Sequence, residues 1–172
     1  EVEVVQTKEH KEECGFYPET YPEEDEIVMA QITSITDMGV YVVLIEYSSM
    51  SGFIPLREIS RKNRIRNVKK IVPVGSEVAC IVSHVDTSHK ERVTINLSKV
   101  NVSNEERDEC IAKYNNARLV HSLLIQVSKV NKVSVQELYE TCGWPLREKF
   151  GSVLLAYQTA LRTPHIVFPL VD

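Results

Sequence analysis

No apolar run in the 172-residue sequence approaches the roughly 18–20 residues needed to cross a bilayer. Neither a leading Met nor a basic end followed by an apolar stretch marks a secretory signal. On these grounds the chain reads as soluble and cytoplasmic, with no membrane partner, and as a trimmed piece of something longer. Cys-x-x-Cys pairs are missing: Cys14, Cys80, Cys110 and Cys142 lie far apart, and His10, His84, His89, His121 and His165 are scattered. That spacing argues against a metal site and a disulfide framework, and reduced thiols suit the cytosol. There is no Gly-rich phosphate loop, no Gly-x-Ser-x-Gly elbow and no His-Glu-x-x-His. A non-catalytic protein without cofactor or metal is therefore expected.

What is present begins with an apolar share of 43 %, adequate for packed cores. The net charge of −4 hides a segregation. Residues 1–30 are dense in Glu and Asp, with only Lys8 and Lys11 as bases. Residues 57–70 carry Arg57, Arg61, Lys62, Arg64, Arg66, Lys69 and Lys70 against Glu58 alone. Such segregation bears on partners more than the average does.

Residues 1–25 show little periodicity and read as an acidic leader, flexible in part or loosely docked. Five β-prone runs follow within residues 26–100: Ile27–Ile32, Val40–Ile45, Gly52–Leu56, Glu77–Val82 and Arg92–Leu97. Asp37-Met38-Gly39 is a turn candidate, with Gly39 free to take φ > 0. Pro55 cannot donate a ladder hydrogen bond, so the third strand ends there or lies on an edge. Asp86 to Glu91 is a hairpin loop. Five short strands with an irregular basic insertion after the third predict an OB-type barrel.

After Asn101 the period changes. Ser103-Asn104-Glu105-Glu106 is a capping box, and Ile111, Tyr114, Ala117, Val120, Leu123, Leu124, Val127 and Val130 recur at helical spacing. Ser134 to Glu137 repeats the capping pattern, Pro145 can open a short turn, and a last helix runs from Val153 to about Arg162 before Thr163-Pro164. The predicted fold is β plus α in two domains: the barrel over 26–100 with its basic loop at 57–70, then a compact helical domain over 101–172.

Two features of the barrel carry chemistry. Tyr41 and Phe53, on adjacent predicted strands, are candidate faces for stacking single-stranded bases, unless they pack inward; period-two alternation cannot fix the phase in runs this apolar. The basic loop offers phosphate contacts to nucleic acid, a phosphoacceptor in Ser60, or merely solvated charge. Composition alone leaves these three open.

The runs Glu26-Ile27-Val28-Met29, Ile35-Thr36-Asp37-Met38-Gly39-Val40-Tyr41-Val42 and Leu44-Ile45-Glu46-Tyr47 resemble the amino-terminal barrel of the initiation factor 2 alpha subunits of eukaryotes, a barrel of the S-one RNA-binding type. Phe16-Tyr17-Pro18 is similar to that family's Phe-Tyr lead-in, and Glu58-Ile59-Ser60-Arg61 to its Glu-Leu-Ser-Arg. Arg64-Ile65-Arg66, Asn96-Leu97-Ser98-Lys99 and Val102-Ser103 continue the likeness. Cys110, Lys113-Tyr114, Trp144 and Ala156-Tyr157 through Thr163-Pro164 extend it to residues 16–164.

The resemblance implies a translation initiation factor that acts with beta and gamma subunits and GTP. Such a factor carries initiator methionyl-tRNA to the small ribosomal subunit. It further implies a C-terminal α/β domain, joining the gamma subunit, that lies outside this sequence. Ser60 would be phosphorylated by a stress-activated kinase, turning the factor into an inhibitor of its guanine-nucleotide exchange factor. Arg61, Lys62, Arg64 and Arg66 would contact tRNA or that exchange factor. Arg92, Thr94, Ile95 and Asn96 occupy the family's kinase-docking strand, Lys-Gly-Tyr-Ile-Asp, of which only Ile95 is kept. Thr94 replaces an aromatic anchor and Asn96 a charge, the kind of residue on which interfaces depend. Lys62-Asn63 also adds a residue to the family's basic run. Two other readings stand beside this one: a viral decoy of the same kinases, and a stand-alone RNA-binding module.

Overall fold

The computed structural model describes residues 14–60, 68–88 and 93–167. Within them, β1 (Ile27–Ile35), β2 (Gly39–Leu44), β3 (Met50–Pro55), β4 (Glu77–Asp86) and β5 (Thr94–Ser98) close into a barrel in the order β1-β2-β3-β5-β4. Every pairing is antiparallel except β3 with β5, which is parallel. This is the five-stranded closure that the β-prone runs predict, and it leaves no open edge.

The barrel core forms from alternate residues of each strand. Val28, Ala30 and Ile32 of β1 meet Val40, Val42 and Leu44 of β2, with Ile54, Cys80, Val82, Ile95 and Leu97 from the other strands, all nearly inaccessible. Met29 breaks the alternation by being buried on the opposite phase, because the helical half packs over β1 there. Pro55 ends β3, as its missing N–H requires.

Gly39 corrects an expectation. The turn before it is held by Thr36, whose N–H and hydroxyl both donate to the Gly39 carbonyl, at 2.8 and 2.9 Å. Gly39 does not take a positive φ. It is needed for room: a Cβ there would sit 2.5 Å from the Phe53 ring and would also strike the Ile54 carbonyl.

The helical half follows: α1 (Val68–Ile71) lies within the barrel's basic insertion, and α2 (Asn104–Asn131) begins the rest. The Ser103–Glu106 capping box is formed at α2, with Glu106 N–H donating to Ser103 Oγ at 3.2 Å and Ser103 N–H to Glu106 Oε2 at 2.8 Å. Then come α3 (Val135–Leu138), a π turn (Tyr139–Gly143), α4 (Trp144–Phe150), α5 (Val153–Arg162) and α6 (Pro164–Val167). The apolar period of α2 splits into two stripes. Tyr114, Val120 and Leu124 are buried, whereas Ile111, Leu123, Val127 and Val130 face solvent.

Of the acidic leader expected over residues 1–25, the described part from Cys14 is anchored. Phe16 and Tyr17 are buried between the barrel and α2. Phe16 N–H donates to the Glu46 carbonyl at 2.8 Å, and its ring lies 4.6 Å from that of His121 on α2. An aromatic pair with neither period two nor period 3.6 around it gives no helix or strand signal, yet it buries much apolar area.

Candidate nucleic-acid interface and modification loop

Strand register decides which residues share the outward face. Tyr41 of β2 pairs with Phe53 of β3, Phe53 with Asn96 of β5, and Asn96 with His84 of β4. On the other side Tyr41 pairs with Ser34 of β1. The result is a transverse row, Ser34–Tyr41–Phe53–Asn96–His84, running across all five strands. Irregularities between Ile32 and Ser34 and between Val82 and His84 set this alignment, as β-bulges re-aim side chains where they occur.

Neither aromatic packs inward. Tyr41 is 48 % exposed, Phe53 is half-buried, and their ring centroids lie 5.1 Å apart at 54°. This tilted pair offers an apolar step beside the amide of Asn96, a geometry suited to stacking a base while hydrogen-bonding its edge. At the end of the row His84 Nδ1 lies 2.7 Å from Glu24 Oε1, which also accepts the Val85 N–H at 3.2 Å. Those bonds, the backbone one first, hold the Glu24 carboxyl below the usual carboxylate range.

Ser60 lies just past β3, after a 3-10 turn over Leu56–Glu58. Its neighbour Ile59 is 2 % exposed and fixes the turn into the core. The Glu58 carbonyl accepts the N–H of Lys99 at 2.8 Å and of Val100 at 3.2 Å, so the segment leaving β5 clasps the residues that lead to Ser60. Ser60 itself is half-buried. Arg57 is exposed beside it, 3.6 Å from Glu58, and Lys69 and Lys70 are exposed on α1. Arg61, Lys62, Arg64, Arg66 and Arg92 lie outside the described residues.

The docking strand needs one correction. Ile95 is fully buried in the barrel core, so its side chain is a packing residue and not a contact surface. Thr94 is exposed and Asn96 half-buried, which leaves these two as the outward positions among the described residues of that strand. His84, Ser34 and Glu24 were not legible as members of this face, because the bulges that align them leave no compositional trace. Among the described residues no group of His, Cys, Asp or Glu could hold a metal ion, and no helix is long and apolar enough to cross a membrane.

The sequence profile described as the S1 RNA binding domain matches residues 21–98. The alpha subunit of eukaryotic translation initiation factor 2 from Arabidopsis thaliana is 40 % identical over 156 residues, 91 % of this chain and 44 % of that protein. Subunit 1 of the same factor from Dictyostelium discoideum is 39 % identical over 159 residues, 90 % of this chain and 46 % of that protein. The intact alpha subunit of aIF2 from Pyrococcus abyssi superposes with a TM-score of 0.80 at 24 % identity, over 90 % of this chain and 58 % of that one, which is a likeness of fold. The chain spans less than half the length of these two curated relatives. Its barrel, its helical half and its sequence together place it in the family of eukaryotic translation initiation factor 2 alpha subunits, to which it belongs.

Proposed function

We propose that this chain is the barrel-and-helix part of a cytoplasmic initiation-factor subunit, in which Ser60 is the residue that stress-activated kinases phosphorylate. The factor would work with its beta and gamma subunits and GTP to bring initiator methionyl-tRNA to the small ribosomal subunit. Phosphorylation would convert it from substrate to inhibitor of its guanine-nucleotide exchange factor.

The observation that carries this reading is the anchoring of Ser60. A phosphate that an exchange factor is to read needs a defined position on the barrel. Buried Ile59 and the Glu58 carbonyl, clasped by Lys99 and Val100, supply one. A phosphate there adds about −1.5 to −2 charge and three strong acceptors. In a segment whose sequence carries Arg57, Arg61, Lys62, Arg64, Arg66, Lys69 and Lys70, that charge offsets part of the positive charge and offers guanidinium groups a bidentate partner. Asn96 and Thr94 are the outward residues with which a kinase would meet β5, and the outward aromatic step at Tyr41 and Phe53 supports single-stranded RNA as a ligand of the same barrel.

The test is phosphate transfer from an initiation-factor-2-alpha-type kinase to the purified chain. Incorporation should be stoichiometric in the parent and absent in Ser60→Ala, and the phosphorylated chain should bind the exchange factor more tightly than the unmodified one. Equal incorporation into Ser60→Ala would show the acceptor to be another residue.

A further inference from the structure

A cavity of about 260 Å³ lies away from the barrel's outward row, where the leader meets the helical half. Phe16, Tyr17, Val120 and Tyr139 make its apolar walls, and Lys113, Arg147, Asn116 and Ser152 bring polar groups to it. Apolar walls with a few convergent polar groups are the usual make-up of a small-molecule site.

The two cations are held over one ring. The Arg147 guanidinium carbon lies 4.4 Å from the Tyr17 centroid and Lys113 Nζ 5.2 Å from it. Tyr17 is itself fixed by its bond to buried Glu46, so the cations are presented by a rigid aromatic support. Each also meets a carboxylate: Arg147 with Glu19 at 3.2 Å and Lys113 with Glu26 at 3.6 Å. Lys113 and Glu19 are about half exposed and Arg147 about one-third, and an ion pair like Arg147–Glu19 contributes little and is readily exchanged; Lys113 is held by the less exposed Glu26. A guanidinium has five N–H donors in a fork suited to a carboxylate or phosphate. The start of α5 also opens here: Val153 and Leu154 line the cavity, and the Ser152 side chain makes no capping bond to them.

We infer that this cavity is a binding site for a small anion with a flat apolar body, an aromatic carboxylate being the simplest member of the class. The ring lies against Phe16, Val120 and Tyr139, and the carboxylate meets Arg147 and Lys113. The phosphorylation reading above is not needed for this site.

The test is a titration of the isotopically labelled 172-residue chain with indole-3-acetate and, separately, with uncharged indole-3-acetamide, followed by amide chemical shifts. Indole-3-acetate should give saturable shifts centred on Ala117, Val153 and Leu154, and the acetamide should bind at least tenfold more weakly. Ala117→Leu, which fills the cavity, should abolish the shifts. Ser152→Asp supplies a strong N-cap to α5 while adding a negative charge to the cavity lining. It should therefore hold or raise the melting temperature and weaken indole-3-acetate at least tenfold, which decides the matter even if Ala117→Leu folds poorly. Shifts absent from these amides, equal affinity for the two probes, or unweakened binding in Ser152→Asp would each overturn the assignment.

Discussion

The Tyr17 hydroxyl donates to Glu46 Oε1 across 2.6 Å, joining the leader to the turn that follows β2. Glu46 is 4 % exposed, and its other oxygen accepts a long bond from Met29 N–H, at 3.4 Å. Desolvation is the chief influence on this carboxyl and holds it above its ordinary value of 4.5, against the opposing pull of Tyr17, Met29 and Lys113.

Tyr17→Phe should cost about 1–3 kcal/mol, because it strips the principal donor from a buried acceptor. The pH dependence has a definite sign. The folded chain holds the Glu46 proton more tightly than the unfolded chain does. The stability linked to this proton is therefore complete below 4.5 and is lost as pH rises through the folded-state value. Removing Tyr17 raises that value further. Melts of parent and variant from mildly acid to neutral pH should diverge as pH rises; a constant gap would mean that the bond does not bear on ionisation.

Gly39→Ala should destabilise by about 1–3 kcal/mol, the usual cost of forcing an atom into a packed site. The Phe53 ring, 2.5 Å from the new carbon, can swing aside, but the Ile54 carbonyl belongs to the barrel ladder and cannot. A denaturation midpoint equal to the parent's would show that the turn relaxes freely.

Ser98 is fully buried, and its hydroxyl has no hydrogen-bond partner among the described residues. Burying a lone hydroxyl is unfavourable, so Ser98→Ala should leave stability unchanged or raise it by up to about 1 kcal/mol. A clear loss in calorimetry would reveal a partner for that hydroxyl.

Much of this architecture is legible locally. The stop at Pro55, the capping box at Ser103 and Glu106, and the span Val153–Arg162 each follow from one residue's backbone chemistry or from a short period. What escapes a sequence reading is register. In runs as apolar as Val40–Leu44, nothing local says which phase faces out, so Tyr41 could be placed on a strand but not on a face. Resemblance placed Ile95 on the docking strand without a phase, and the structure buries its side chain while Thr94 and Asn96 take the outward phase. The π turn at Tyr139–Gly143 escapes too, although its crowding is local: a Cβ at Gly143 would come 2.7 Å from the ring of Tyr139, four residues earlier.

The outward row makes a prediction that separates stacking from charge. If single-stranded RNA lies on Tyr41 and Phe53, Tyr41→Ala and Phe53→Ala should each weaken binding by about 1–3 kcal/mol, the worth of one stacked base. Neither should alter the steepness with which affinity falls as salt rises, because no phosphate contact is lost. Arg57→Gln, in the basic loop, should do the reverse, reducing that slope by about one while costing less at high salt. Tyr41→Phe should retain parent affinity, since the ring face and not the hydroxyl does the stacking. Fluorescence anisotropy with a labelled oligoribonucleotide at several salt concentrations reads both quantities. Binding that survives both aromatic truncations but collapses with Arg57→Gln would move the RNA site from the barrel face to the loop, leaving the Tyr41–Phe53 pair a role in packing alone.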